Sequence, residues 1–531
     1  MRDAAHRPLL TTGHQGRAAT VTRMDARRPL GVLATVTVLG LWLRVQGLSH
    51  LGLWRDDAWV ALSSRVGIST AWRMGVTARG FMLAERAWTL LHAGSPTWAQ
   101  LLPLALGVAG ILAVYALARQ FGLPSWWSIG CATVVALSPI AIVWSTHVKQ
   151  YSTDLLLSCV LLGLGERARR VPIGLRLALL GTASLVSLVV SASVVPILVG
   201  VWLALAVVAA EQRSRRRAIV VAGGVTAALC GAFALAALSH LPTALHRYWQ
   251  DEGRFVPTSS VRDLGRGVTR AVEALATGVV HLPSPLAVVG AVLVALLVVV
   301  GAVTSRAALA PAVAIGAAFV AAAASLVPLG TGRTDEVLYP AIVVTAALGL
   351  RGVAQRVAAA GGSRTARRVV AAAGATFVAY VVVAELVGPV RYPSVDVRRV
   401  ADGIQARRRP GDVVYVDART RYPWVLAESR RVALRFGPGW GAGFTVLSTQ
   451  PDVVISPSQS WERPFSPSSV AAKVAAAPRV WFVGSGEMAP DLAQNSDYQA
   501  LLARGWRARS SLQASGAYLV LLTRPARSVA R

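Results

Sequence analysis

Leu51-Gly52-Leu53-Trp54-Arg55-Asp56-Asp57-Ala58-Trp59 follows directly on an apolar run from Pro29 to Gly47. At a rise of about 1.5 Å per residue, such a run as a helix crosses roughly 30 Å of hydrocarbon. Two adjacent carboxylates therefore stand where a membrane helix emerges. Trp54 and Trp59, on either side, suit the membrane–water interface. A helix cap or a solvated loop accounts for most Asp-Asp pairs. An ionisable pair kept beside hydrocarbon is costly, and such groups mark functional sites. Adjacent carboxylates can also divide labour: one takes a proton or a metal ion while the other orients it.

The rest of the chain supports a membrane setting. Of 531 residues, 54% are hydrophobic and only 15% charged, and the mean hydropathy is +0.53. Soluble domains carry about a quarter charged residues. The formal net charge of +29 raises nucleic-acid binding, but the arginines cluster in loops between apolar runs. That placement sets membrane orientation and excludes a nucleic-acid partner. Lys149 and Lys473 are the only lysines. Cys131, Cys159 and Cys230 all fall inside apolar runs without metal-ligand spacing, which argues against a disulfide framework and a zinc site. The basic N-terminus lacks a clear cleavage site and reads as an uncleaved signal anchor.

The apolar runs and the arginine clusters together predict about eleven spans, from Pro29–Gly47 to Val369–Val387. Residues 1–28 are then a cytoplasmic basic segment and 29–389 a membrane domain. Its outer loops are 51–97, 145–154, 239–282 and 328–336. Apolar residues at helical spacing in the first loop predict helices lying on the membrane surface. Residues 390–531 form a domain on the outer side. An amphipathic helix is expected over Val395–Arg408, and short buried strands at Asp412–Val416, Asp452–Ile455, Val480–Val483 and Tyr518–Leu522. This alternation predicts a small α/β domain. Gly484-Ser485-Gly486 follows a strand, but the remainder of a dinucleotide fingerprint is missing.

Three further constellations fall on the same outer side as the Asp pair. In His147-Val148-Lys149-Gln150-Tyr151-Ser152-Thr153-Asp154, a helix starting near His147 would put His147, Gln150, Tyr151 and Asp154 on one face. A capped helix start explains these polar residues. A lysine beside a tyrosine at an outer helix start also suits an anionic headgroup. Gly330-Thr331-Gly332-Arg333 reads as a flexible turn or as a phosphate clamp, in which glycines admit the backbone and the guanidinium matches phosphate oxygens. Tyr248 and Trp249, with Arg254 and Phe255, fit an aromatic belt or a sugar or lipid contact.

These motifs resemble the GT-C superfamily of integral membrane glycosyltransferases, which includes protein O-mannosyltransferases and lipid A aminoarabinose transferases. Trp54-Arg55-Asp56-Asp57 is similar to the acidic pair of the first outer loop, with Asp57 in place of the more usual Glu. His147-Val148-Lys149-Gln150-Tyr151 is similar to a second-loop Glu-x-Lys-x-Tyr motif, with His147 where an acidic residue is usual. Gly330-Thr331-Gly332-Arg333 is similar to a late-loop Gly-x-Arg segment. Arg391-Tyr392-Pro393 and Pro410–Val416 look like the start of the outer domain. The resemblance implies transfer of a sugar from a polyprenyl-phosphate-linked donor to a cell-envelope acceptor on the extracytoplasmic face. In that reading Asp56 is the general base or a metal ligand and Asp57 orients it. Lys149 and Arg333 hold the phosphate. His147, Tyr151, Asp154, Tyr248 and Trp249 line the substrate site. A divalent metal at Asp56 and Asp57 is the one cofactor left open. The alternatives are a transporter or flippase of a lipid-linked saccharide, or a non-catalytic membrane scaffold. Transport sites sit near mid-span, whereas the charges here gather at the outer ends of the spans.

Overall fold

A computed structural model describes residues 15–524, apart from 76–77, 93, 172–173, 239–241, 280–285, 360–382, 384–393, 430, 458, 460–461 and 463–471. Among the described residues, seven helices are long and apolar enough to cross a membrane. They are Arg28–Val45, Pro96–Gln120, Ala192–Glu211, Arg213–Ala236, Ala287–Thr304, Arg306–Ala323 and Thr334–Arg356. Two shorter apolar helices, Ser125–Leu137 and Gly174–Val190, and the helix Tyr151–Arg170 pack among them. Together these coincide with the first ten spans expected from sequence. The eleventh, Val369–Val387, lies outside the described residues. The protein is a polytopic helical membrane protein with a small C-terminal α/β region.

Between the spans the helices approach closely where side chains are small. The helices carrying Gly301 and Gly349 cross so tightly that a Cβ on Gly301 would lie 2.1 Å from the Thr345 carbonyl oxygen, and one on Gly349 would lie 2.1 Å from that of Leu297. In hydrocarbon such backbone approach supplies the packing that apolar burial supplies in water. The third span is broken. One helix ends at Leu137 and a short one, Pro139–Trp144, begins after Ser138. Pro139 has no N–H to continue the ladder.

The first outer loop forms three short helices: α1 (Arg55–Ala61), α2 (Ile68–Met74) and α3 (Arg79–Leu90). A later connection between spans adds α4 (Thr243–Asp251) and α5 (Val261–Val279). The C-terminal region holds a five-stranded sheet. Its strands are β1 (Val413–Val416), β4 (Val453–Ile455), β5 (Arg479–Ser485), β6 (Arg507–Ala514) and β7 (Ala517–Thr523), in the order β4-β1-β5-β7-β6. β1 pairs in parallel with both β4 and β5, while β7 runs antiparallel to β5 and β6. β1, β5 and β7 read as apolar runs because both of their faces are covered. The hairpin β2 (Ala433–Phe436) with β3 (Phe444–Leu447) and the edge strand β6 were not expected. β6 reads Arg-Ala-Arg-Ser-Ser-Leu-Gln-Ala and is mostly exposed, so no apolar run announces it. Charge of this kind protects a free sheet edge.

One hydrophobic cluster joins residues 51–99 to the C-terminal region. Leu53, Ala58, Val60, Met74 and Phe81 of the first loop pack with Val395, Val400, Val416, Phe444 and Trp481 of the α/β region. The first outer loop and the C-terminal region thus share a core.

Candidate active site

The site starts from α1, a helix of seven residues. The backbone N–H groups of Asp57 and Ala58 both donate to the Trp54 carbonyl. Carboxylates in a first helical turn lie at the positive end of the backbone dipole. Successive helical residues diverge by about 100°, so the two aspartates face different neighbours. Asp56 is half-buried, with Oδ1 3.1 Å from Arg55 Nε and Oδ2 3.6 Å from Arg333 Nη1. Asp57 is fully buried, with Oδ2 3.4 Å from His147 Nδ1. The pair therefore does not face one point.

The second constellation is not helical. The helix begins at Tyr151, and residues 146–150 form a tight bend. The Ser145 and Thr146 hydroxyls donate back to the Ala141 and Val143 carbonyls, a local bond that competes with helix propagation. His147 and Gln150 therefore precede the helix and, contrary to expectation, do not share a helix face with Tyr151 and Asp154. The bend instead packs His147 between Trp144, at 4.2 Å between ring centroids, and Trp54, at 5.8 Å edge-on. Lys149 Nζ sits 3.9 Å from the centre of the Trp59 ring. Trp59 in turn stacks on Phe444 of β3 at 5.9 Å.

The third constellation is a turn tied to one carboxylate. Asp335 accepts from the backbone N–H groups of Gly330 at 3.1 Å and Gly332 at 2.8 Å. Both glycines have positive φ, +73° and +72°, a conformation that side-chain-bearing residues rarely adopt. The Trp144 indole N–H donates to the Gly332 carbonyl at 2.6 Å, which binds the turn to the second constellation. Arg333 is projected over the face of Trp249, 4.4 Å from the ring centre, and hydrogen-bonds with Tyr248. Asp56, Lys149, Arg333, Trp249 and Tyr248 thus meet at one place. Tyr151 is buried against Trp144, with ring centroids 4.9 Å apart. Asp154 lies elsewhere: it is buried one turn further along the helix and faces the Ser191–Ser193 turn.

The electrostatics separate the two aspartates. Burial alone would raise the Asp56 carboxyl, but the Arg55, Lys149 and Arg333 cations outweigh it and hold Asp56 well below the usual carboxylate range. Burial pushes Asp57 up, against the pull of His147 and Lys149. Burial lowers Lys149 to about 8, although Asp56 and Asp57 oppose the shift. A resident divalent cation does not fit this set. Among the described residues, no three His, Cys, Asp or Glu side chains come together to hold one. Asp56 is ringed by three cations, whereas a divalent ion needs a surplus of anionic oxygen ligands.

No protein-family model matches the sequence, and no curated protein sequence does. Solved structures do match. ArnT from Cupriavidus metallidurans in the apo state aligns over 93% of this chain and 98% of that one, at 15% identity and a TM-score of 0.51. ArnT bound to undecaprenyl phosphate aligns over 94% and 98%, at 16% identity and 0.51. An oligosaccharyltransferase from Archaeoglobus fulgidus, solved with zinc and sulfate, aligns over 92% and 72%, at 12% identity and 0.51. The chain shares the fold of these structures.

Within this fold, two buried groups were not expected from the sequence. Arg44 is fully buried, and its guanidinium donates to the carbonyls of Gly40 at 2.9 Å, Ala136 at 3.0 Å and Val135 at 3.1 Å, and to the Ser145 hydroxyl at 2.9 Å. In sequence it only ended the first apolar run. Glu85 of α3 is fully buried, and its carboxylate oxygens have no hydrogen-bond partner among the described residues. Burial, with the nearby Asp57 charge, raises it well above the ordinary glutamate value. An ionisable residue on the apolar face of an amphipathic helix was the available signal.

Proposed function

We propose that the protein transfers a sugar from a polyprenyl-phosphate-linked donor to a hydroxyl acceptor on the extracytoplasmic face. The observation that carries this is the meeting of a carboxylate with two phosphate-binding cations at the outer end of the membrane helices. Asp56 lies 3.6 Å from Arg333, and the same carboxylate acts electrostatically on Lys149. The undecaprenyl phosphate in the solved ArnT complex supports a lipid-borne donor.

The residues divide the reaction between them. Arg333 presents planar donors that match phosphate oxygens, and Lys149 adds a compact charge. Both are seated on indole rings, Trp249 and Trp59, which restricts them to the site at little cost in charge. As the acceptor oxygen bonds to the anomeric carbon, the bond from that carbon to the phosphate oxygen breaks. Negative charge develops on the lipid phosphate and is met by the two cations. The acceptor proton passes to Asp56. With Lys149 and Arg333 engaged by phosphate, Asp56 keeps only Arg55 of the three cations that depress its basicity, so donor binding prepares the base. Asp57 and His147 hold the α1 turn against the second loop rather than contacting the reacting atoms. Tyr248 and Tyr151 complete the walls. The N-terminus then lies in the cytoplasm and residues 390–531 lie outside.

The test is transfer of radiolabelled sugar from a polyprenyl-phosphate donor in membranes carrying Asp56→Asn or Asp57→Asn. General-base loss lowers the rate by about 10²–10⁴-fold for Asp56→Asn, with a smaller fall for Asp57→Asn. Undiminished transfer by Asp56→Asn would sink the assignment.

A further inference from the structure

An open crevice of about 500 Å³ lies beside the site, on the face of the C-terminal sheet region that meets the first outer loop. Its position follows from topology. β1 and β5 are parallel neighbours, and the chain leaves the end of β1 toward β4 on one side and the end of β5 toward β6 and β7 on the other. Open α/β sheets bind ligands in the crevice at that switch point, beyond the carboxyl ends of the strands. Here the ends are Asp417, just after β1, and Ser485-Gly486, at the end of β5, and both line the crevice. Gly484-Ser485-Gly486, which lacks a dinucleotide fingerprint, finds its place as part of that wall.

The lining is polar and mostly uncharged or paired. Arg419 and Asp491 form an ion pair at 3.2 Å. Asp417 accepts from the Asn495 amide at 3.0 Å. Asp497 is buried and gives one oxygen to Tyr415 and Ser456, while its Oδ1 has no hydrogen-bond partner among the described residues. A buried carboxylate oxygen left unmet calls for a donor. The crevice also reaches the transferase centre. Trp54, Arg55 and Tyr248 form its other wall, and Arg55 bridges Gln459 at 3.0 Å to Asp56 at 3.1 Å.

We propose that this crevice is the acceptor subsite and that its occupant is a carbohydrate, the hydroxyl-rich end of a glycan. The inference rests on the transferase reading, since it supplies the hydroxyl that Asp56 deprotonates. Carboxylate and amide oxygens accept sugar hydroxyls, and Trp54 and Tyr248 offer ring faces to a pyranose or furanose. The volume falls within the range of about 300–1,000 Å³ usual for small-ligand sites. A peptide acceptor fits less well. Extended peptides add to a free strand edge, and the edges of this five-stranded sheet are β4 and β6, whereas the crevice lies at strand ends.

The test uses the full chain in nanodiscs and two separate titrations. In the first, neutral trisaccharides of glucose, mannose, galactose and arabinose and an uncharged Ser/Thr pentapeptide are titrated by saturation-transfer NMR. At least one trisaccharide binds the wild type. Arg419→Ala and Gln494→Ala weaken that binding about tenfold, as expected for a lost hydrogen bond. Ser496→Trp, which fills the crevice from an exposed position, abolishes it. In the second, undecaprenyl phosphate is titrated and its affinity is unchanged in all three variants. No trisaccharide bound at millimolar concentration, binding insensitive to all three variants, or preference for the peptide would each overturn the subsite. Failure of the wild type to bind undecaprenyl phosphate would strike the donor reading alone, leaving the saccharide titration to stand on its own result.

Discussion

Asp56 and Lys149 each hold the other in its charged form. Lys149 holds the carboxylate ionised, and burial brings the ammonium to about 8. That value fixes a pH dependence. Below about pH 8 the ammonium is present and attracts lipid phosphate. Above it the free protein holds a neutral amine, so affinity for undecaprenyl phosphate falls as pH rises from 8 toward 10. A phosphate monoester is already fully ionised there, its second pKa lying near 6, and the guanidinium of Arg333 does not titrate. Lys149→Arg keeps its charge throughout and removes the fall. A wild-type affinity independent of pH between 7 and 10 refutes the assignment of Lys149 to the phosphate. At this scale the sequence was partly legible. Asp56, Lys149 and Arg333 stood out because charge beside long apolar runs is costly, and the structure brings the three together. The partner of Asp57 was not legible, because His147 reaches it across ninety positions of chain through a bend that helical spacing does not describe. Nor was the separation of Asp154, which points to the Ser191–Ser193 turn that no local pattern links to it.

Among the elements, the broken third span does the positioning. Ser138-Pro139 interrupts the helix, and the buried carbonyls of Val135 and Ala136 need a donor from elsewhere. Arg44, from the first span, takes both, and its Nε donates to Ser145 at the start of the His147 bend. The break redirects the chain so that residues 145–150 turn back over α1 instead of continuing outward. Pro139 within that apolar run was the available signal of the kink, though the run was expected as a single span, and nothing local identified which distant donor satisfies it. Arg44→Met removes four hydrogen bonds and leaves buried acceptors unmet, at a cost of about 1–3 kcal/mol for each group fully stranded. The expected outcome is a thermal midpoint in detergent lowered by several degrees, together with a loss of transfer larger than stability explains, because the bend carrying Lys149 is released. Arg44→Lys keeps one donor and recovers only part of the stability. Equal midpoints for wild type and Arg44→Met would show that the carbonyls find other partners.

For the whole molecule, the boundary near residue 390 marks a change of composition but not a boundary of packing. Apolar runs and strand patterns separated a membrane domain from an α/β region because each pattern is local. The shared core between them is not local: Leu53, Val60 and Phe81 belong to the first outer loop, and Val400, Phe444 and Trp481 to the other end of the chain. Separate domains meet through polar surfaces crossed by few contacts, whereas here the side chains that bury α1 come from the C-terminal region. Trp59 stacks on Phe444 and also carries Lys149, so Lys149 is seated through a residue from the C-terminal region. A chain ending at residue 394 therefore keeps its membrane helices, whose own cluster runs from Leu33 to Leu348, and loses the order of α1, α2 and α3. Trypsin added to sealed right-side-out vesicles cuts the truncated protein at Arg65 and Arg73 while sparing them in the full chain, and sugar transfer disappears. Retained protection at both arginines would mean that the first loop folds on its own, and that its burial against Val395, Phe444 and Trp481 contributes nothing to the site.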